Sequence, residues 1–321
     1  MKISYNILAT YLFLFFLLIN LSCSSSSSQY FEQADSFYKN GNYLRAIEFY
    51  SKAISDFPND NEAFFRRAKA KSMLKLNIAA IEDYNKTILI NPAFGEAYLG
   101  RGICYLIMEK YKKAIEDFNI AIKLNVLNEE VFFGRAYSKS QLGDYEGALA
   151  DYNIAIEKNP LDKKLYINRG NVKADLDDHL GAIDDFTWAI EMDSNAVNAY
   201  INRGTDKGIV GDYKGAVEDF TSALNLEPSN LELLYLRGEA KNMLENIQGA
   251  IEDFDRIIEK NQKEGKAFYR RGIDYLALKN KIKGCADLLR AGDLGYFDAY
   301  EAINKFCKRE KKLREKTTKK K

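Results

Sequence analysis

Apolar residues in this chain come as paired helical stripes, and the pair recurs every 34 residues from Ser27 to Asp298. In the block Val197 to Asn230, one stripe runs through Ala199, Tyr200 and Gly204 and a second through Val217, Phe220, Ala223 and Leu224. Spacings of three and four predict two amphipathic helices. Between them, Gly211-Asp212 is a turn whose aspartate also suits the N-cap of the second helix. The same turn is written Gly41-Asn42, Gly143-Asp144, Asp177-Asp178, Glu245-Asn246 and Lys279-Asn280. Eight blocks follow one another without insertion: 27–60, 61–94, 95–128, 129–162, 163–196, 197–230, 231–264 and 265–298. All four prolines (Pro58, Pro92, Pro160, Pro228) fall at slot 32 of this frame. A fixed period of this length means one supersecondary unit stacked on copies of itself, so the chain is expected to be all-α, a solenoid of eight helical hairpins.

Three columns are small for a packing reason. Slot 8 is Ala or Gly in every block, slot 20 is Ala until Gly284, and slot 27 is Ala except at Thr87 and Ile257. A mid-helix glycine is about 1 kcal/mol less favourable than alanine, so the five glycines at slot 8 point to close helix contact there. Large residues at slot 24, from Tyr50 to Leu288, fill the space between. With these columns, aromatics at slot 4 and often at slot 17, and proline at 32, the chain resembles the tetratricopeptide repeat family. The resemblance implies a right-handed superhelix whose concave groove is lined mainly by first helices. It also implies a role in holding peptides or protein surfaces rather than in chemistry. After the eighth block, Ala299, Ala302, Ile303, Phe306 and Cys307 share one helical face, which predicts a capping helix over 299–307 that covers the last hairpin.

In arrays of this kind the groove draws on slots 2, 5, 9 and 12. Slot 5 reads Phe65, Leu99, Phe133, Ile167, Ile201, Tyr235 and Tyr269, apolar throughout. Slot 9 varies, with Lys69, Tyr137, Asn171, Thr205 and Glu239 among its members. These residues are the candidate contacts for a protein or peptide partner. Chaperone-binding members of the family grip a C-terminal carboxylate with Lys and Asn on these faces. Slot 5 has no Lys here, so an extended or helical segment held by side-chain pockets is expected instead. A column so uniformly apolar is also what packing between repeats looks like; slot 9 would then carry specificity.

Residues 1–28 stand apart. Lys2 precedes a nearly unbroken apolar run of 15 residues, Ile7 to Leu21, which suits a signal-peptide core over 1–22 better than a spanning helix. Leu21-Ser22-Cys23 resembles a bacterial lipoprotein cleavage site, although Asn20 stands where leucine is commoner. Cys23 is then the lipidated residue, and the serines to Ser28 form a tether. A plain cleaved signal and an uncleaved anchor are the alternatives. The lipoprotein reading puts the protein in the bacterial cell envelope, held to a membrane by its lipid and facing the periplasm or the cell surface.

Net charge matters only once divided: +1 overall conceals +7 in a basic tail over 308–321. Such a tail contacts anionic lipid or nucleic acid, or is simply solvated; behind a secretion signal, nucleic acid is not expected. Seven blocks carry Arg at slot 7 and Asp at slot 23, from Arg67/Asp83 to Arg271/Asp287, where the first block has Gln33 and Phe49. Identical recurrence suits a structural ladder of ion pairs better than a ligand site. The one histidine, His179, takes a slot held by Tyr43, Tyr111, Tyr145 and Tyr213, and reads as a packing substitute. Trp188, in a variable column, faces a partner or solvent. With no catalytic triad, phosphate loop or Cys/His metal spacing, no enzyme activity, cofactor, metal or small-molecule substrate is expected. Cys285 and Cys307 either form a disulfide that staples the cap or remain two buried thiols, and Cys104 is a core thiol. The function expected is a membrane-tethered interaction scaffold. Alternatives are an assembly lipoprotein for an outer-membrane β-barrel or secretin complex, and an accessory subunit of an envelope enzyme.

Overall fold

A computed structural model describes residues 29–307, so the signal segment, Cys23, the serine tether and the basic tail lie outside the described residues. Among the described residues there are seventeen helices and no strand. The described residues divide into two compact units, 29–160 and 161–307. In the first, α1 (29–39), α2 (Tyr43–Asp56), α3 (Asn61–Met73), α4 (Asn77–Ile90), α5 (Gly95–Ile107), α6 (Tyr111–Lys123), α7 (Glu129–Ser140) and α8 (Tyr145–Lys158) form four hairpins. The second has α9 (Lys163–Asp175), α10 (His179–Met192), α11 (Val197–Ile209), α12 (Tyr213–Leu226), α13 (Leu231–Met243), α14 (Ile247–Lys260), α15 (Gly265–Ala277) and α16 (Lys281–Asp293) as four more, closed by α17 (Asp298–Phe306). Within each unit, first and second helices pair, and each second helix packs on the next first helix.

The turn inside the hairpin is backbone-determined. Slot 15 has positive φ in all eight hairpins, but is glycine only at Gly41, Gly143 and Gly211; Lys75, Glu109, Asp177, Glu245 and Lys279 hold φ between 57° and 60°. Side chains strain in that region, by roughly 1–2 kcal/mol, and the stack sustains the strain. The next residue then caps the second helix. Asn42, Asp144, Asp178, Asp212, Asn246 and Asn280 each accept an N–H from three residues on.

Slot 8 is small because the slot 24 side chain lies on it. A methyl on Gly102 would stand 2.8 Å from the Phe118 ring, and one on Gly134 of the next hairpin 2.5 Å from the same ring. Where slot 8 is Ala34, Ala68 or Ala136, slot 24 is Tyr50, Tyr84 or Tyr152; where it is glycine, slot 24 is Phe or Leu288. The tyrosines carry their hydroxyls to polar partners, Asp35 for Tyr50 and Ser72 and Ser140 for the other two.

The seven arginines at slot 7 all make two-toothed bonds to their slot 23 aspartates, for example Arg203 Nε and Nη2 to Asp219 at 2.9 and 2.7 Å. Within each unit the remaining nitrogen, Nη1, reaches back to slot 25 of the preceding hairpin: Ser51 for Arg67 (2.9 Å), Asn85 for Arg101 (2.6 Å), Thr187 for Arg203 (3.0 Å) and Asp255 for Arg271. The pair therefore works within a hairpin and the third bond between hairpins. Five of the aspartates also hold a lysine at slot 11: Lys71, Lys139, Lys173, Lys207 and Lys241. In the third hairpin that slot is Tyr105. Burial there pushes the Asp117 carboxyl up, against the lowering effect of Arg101.

The cap differs slightly from the expectation. α17 ends at Phe306, and Cys307 lies just past it, its N–H bonded to the Ile303 carbonyl. Cys307 and Cys285 are joined by a disulfide with Cα atoms 5.5 Å apart across a sequence separation of 22. A loop of that size is worth roughly 3 kcal/mol in the chain-entropy picture. Cys104 is a buried free thiol 3.3 Å from Ser72 Oγ.

Removing one clamp carboxylate should be severe. Asp219→Ala strands Arg203 and Lys207, 15% and 18% exposed, with no counter-charge. The expected loss is about 3–5 kcal/mol, read by urea unfolding of Trp188 fluorescence. Glu218→Ala, an exposed neighbour, should change stability by less than about 0.5 kcal/mol. Equal effects of the two would refute the clamp.

Candidate binding face

Residues four apart on a helix lie over one another, so slots 5, 9 and 13 of each first helix form one stripe. In the first unit these are Phe65, Lys69 and Met73 on α3, Leu99, Ile103 and Ile107 on α5, and Phe133 and Tyr137 on α7 with Gln141 just past its end. In the second they are Ile167, Asn171 and Asp175 on α9, Ile201, Thr205 and Ile209 on α11, and Tyr235, Glu239 and Met243 on α13; α15 adds Tyr269 and Ile273.

Slot 5 serves two surfaces at once. Leu99 is buried, but Phe65, Phe133, Ile167, Ile201, Tyr235 and Tyr269 are half-buried. Their inner edges pack on the slot 24 rings, Phe65 on Tyr84 at 6.0 Å, Phe133 on Tyr152 at 6.2 Å and Tyr235 on Phe254 at 5.8 Å between centroids. Tyr269 packs instead on Tyr296, 5.1 Å away. Outer edges stay open.

At slot 9, Lys69, Asn171 and Thr205 are exposed. Lys69 stands 5.7 Å from the Phe65 ring, Asn171 accepts from Asn202 at 2.7 Å, and Thr205 donates to the Ile201 carbonyl at 2.9 Å. Tyr137, half-buried, stacks near Phe133 and Tyr111. Glu239 pairs with Arg270, whose Nε also donates to the Tyr235 hydroxyl at 3.1 Å. Burial pushes the Glu239 carboxyl up while Arg270 pulls it down.

Slot 13 is the part the sequence columns did not flag. Met73, Ile107, Ile209 and Met243 are 53–59% exposed there, an apolar continuation of the stripe at the open end of four first helices. The signal was a step of four beyond slot 9. Between the seventh and eighth hairpins the face deepens into a pocket of about 330 Å³. Leu231, Tyr235, Leu236 and Ile257 line it, with Glu232, Glu264 and Lys266. Lys266 Nζ sits 3.8 Å from the Tyr235 ring centre.

His179 is more than a packing substitute. Its Nδ1 lies 2.8 Å from Oδ1 of Asp206, which is buried on α11 and pushed up by that burial against the lowering effect of the histidine. Trp188 is 55% exposed on a second helix, away from the stripe's slots. Among the described residues, no group of three or more His, Cys, Asp or Glu is placed to hold a metal ion, and no helix is long and apolar enough to cross a membrane.

A tetratricopeptide repeat profile matches residues 95–125, and a second of the same description matches 31–70, 133–197 and 201–265. No curated protein matches the chain. Among solved structures, it is similar to YrrB, described as a TPR protein with an unusual peptide-binding site (23% identity, TM-score 0.54, 60% of this chain and 97% of that one). It is also similar to PilF of Pseudomonas aeruginosa (14% identity, TM-score 0.59, 68% and 99%). A third is MamA from Desulfovibrio magneticus RS-1 (17% identity, TM-score 0.50, 52% and 94%). At these identities the likeness is one of fold.

Proposed function

The chain belongs to the tetratricopeptide repeat family, and we propose that it is a non-enzymatic scaffold that holds a polypeptide segment on its first-helix stripe. The observation that carries this reading is the stripe itself. Half-open apolar residues at slot 5 and more than half-exposed ones at slot 13 flank a slot 9 that changes chemistry from Lys to Tyr to Asn to Glu. Apolar anchors at regular helical spacing give affinity, and the varied column between them gives selectivity. The peptide-binding site described for YrrB supports the same use of this fold.

The scaffold is membrane-tethered in this reading, through a lipid on Cys23 at the end of the apolar run. The several acyl chains of a bacterial lipoprotein anchor would hold firmly, at about 0.8 kcal/mol per buried CH₂. The Cys285–Cys307 disulfide fits an oxidising compartment such as the envelope outside the cytoplasm.

Two experiments test these points. Peptides selected from a random display library against the purified chain should bind at least about tenfold more weakly to an Ile107→Glu, Tyr137→Ser double variant or to an Ile209→Glu, Met243→Glu one. Melting temperatures should stay within a few degrees of the parent. Undiminished affinity in both variants, or loss only on unfolding, would remove the stripe as the site. Cys23→Ser should move the protein from the membrane to the soluble fraction of expressing cells; retention in the membrane would make the apolar run the anchor.

A further inference from the structure

One pair of buried oxygens in the second unit lacks a donor. Asn242, at slot 12 on α13, donates from Nδ2 to Oδ1 of Asp274 on α15 at 2.9 Å. Asn242 Oδ1 and Asp274 Oδ2, the other halves of the same two groups, are buried and make no hydrogen bond. Asp274 is only 5% exposed. A buried acceptor without a donor is strongly unfavourable, and here two occur together on partners already joined along one edge. A carboxamide offers one donor edge and one acceptor, and an uncharged carboxyl offers the complementary pair. We propose that Asp274 carries a proton in the folded chain and binds Asn242 as a carboxylic acid–carboxamide pair, its Oδ2–H donating to Asn242 Oδ1.

The surroundings favour the proton. From α13, Glu239 faces the pair one turn before Asn242, and its carboxylate disfavours a second negative charge. From α15 itself comes Arg270, one turn before Asp274, but it is engaged by Glu239 and by the Tyr235 hydroxyl. On α14, Asp253 is held by Arg237 and Lys241, and on α16, Asp287 is held by Arg271. Burial, the largest influence, pushes the Asp274 carboxyl up to about 6, against the lowering effects of Asn242 and Arg270. The same slots in the first unit, Ser72 and Cys104, are bridged at 3.3 Å by two groups that are neutral near pH 7. Slots 12 and 10 are thus a place where neighbouring first helices are joined, and the seventh and eighth hairpins join them through a proton.

The sign follows from linkage. The folded carboxyl holds its proton up to about pH 6, whereas in the unfolded chain it is lost near 4. The pair's stabilisation is complete below about pH 4 and is lost as the pH rises through 6. Above that, Glu239 and Asp274 share one arginine, and Asn242 Oδ1 faces an anion. Glu239 stands on the stripe, and Asn242 lies beside it at slot 12. On the reading of that face as the binding site, the proton latches its α13–α15 end in acid and loosens it at neutral pH.

The test uses the full chain with no peptide, so it fails or succeeds independently of the binding reading. In ¹³C spectra of aspartate-carboxyl-labelled protein, one resonance, absent from Asp274→Asn, should titrate with a midpoint near 6; a midpoint below about 4.5 overturns the proposal. Asp274→Asn keeps both edges as an amide–amide pair that needs no proton. It should melt about 2–4 °C above the parent at pH 8, with the difference fading by pH 5, and an equal difference at both pH values overturns the proposal. Should that variant fail to fold, the exchanged pair Asn242→Asp, Asp274→Asn must restore a carboxyl titrating near 6. Absence of such a titration in the exchanged chain overturns it equally.

Discussion

One guanidinium contact sets the geometry on which everything else rests. Each slot 7 arginine lays two nitrogens on the aspartate of its own second helix, and within each unit the third reaches to the hairpin before it, as in Arg203. Two planar bonds fix the angle of the first helix on the second, and the third fixes the spacing of hairpin on hairpin. A buried ion pair is weak evidence for stability, since desolvation offsets much of the attraction. Its value here is positional: recurring at one slot, it brings the slots two before, two after and six after on the same helix into line from hairpin to hairpin within each unit. The stripe is a consequence of the clamp.

The period, the hairpins and the ladder were legible because they recur. A constraint imposed by stacking identical units must appear in every unit, as Arg67/Asp83 through Arg271/Asp287 do. What recurs only in geometry stays hidden. The left-handed turn at slot 15 is present in every hairpin, yet the residue is Lys75, Glu109 or Asp177 as readily as glycine, because the neighbouring caps and packing sustain the strain. Pairs made once, such as His179 with Asp206 or Asn242 with Asp274, join residues about one repeat apart and leave no periodic trace.

The slot 5 column admitted two readings from sequence, core or groove, and the structure shows why neither excludes the other. Phe133 packs one edge on Tyr152 and leaves the rest half-open beside Tyr137. A residue that is half core cannot vary freely, which explains a uniformly apolar column. Selectivity then falls to slots 9 and 13, which the slot 24 rings do not constrain. Slot 13 gives no columnar signal, because its mixture of Met73, Ile107, Gln141 and Asp175 resembles ordinary surface variation. Only its exposure in the folded chain separates an apolar side chain in solvent from one in a core.

Isoleucine methyl groups offer the most direct measurement. Ile107 and Ile209 are 57% and 59% exposed on the stripe, and Ile78 and Ile282 are 68% and 81% exposed on second helices. With methyl-labelled isoleucine and a selected peptide, the account predicts chemical-shift changes at Ile103 and Ile107, or at Ile201 and Ile209, with Ile78 and Ile282 unmoved. Shifts confined to Ile78 and Ile282 would contradict it, because solvent exposure alone, and not the stripe aligned by the arginine clamps, would then govern where a partner binds.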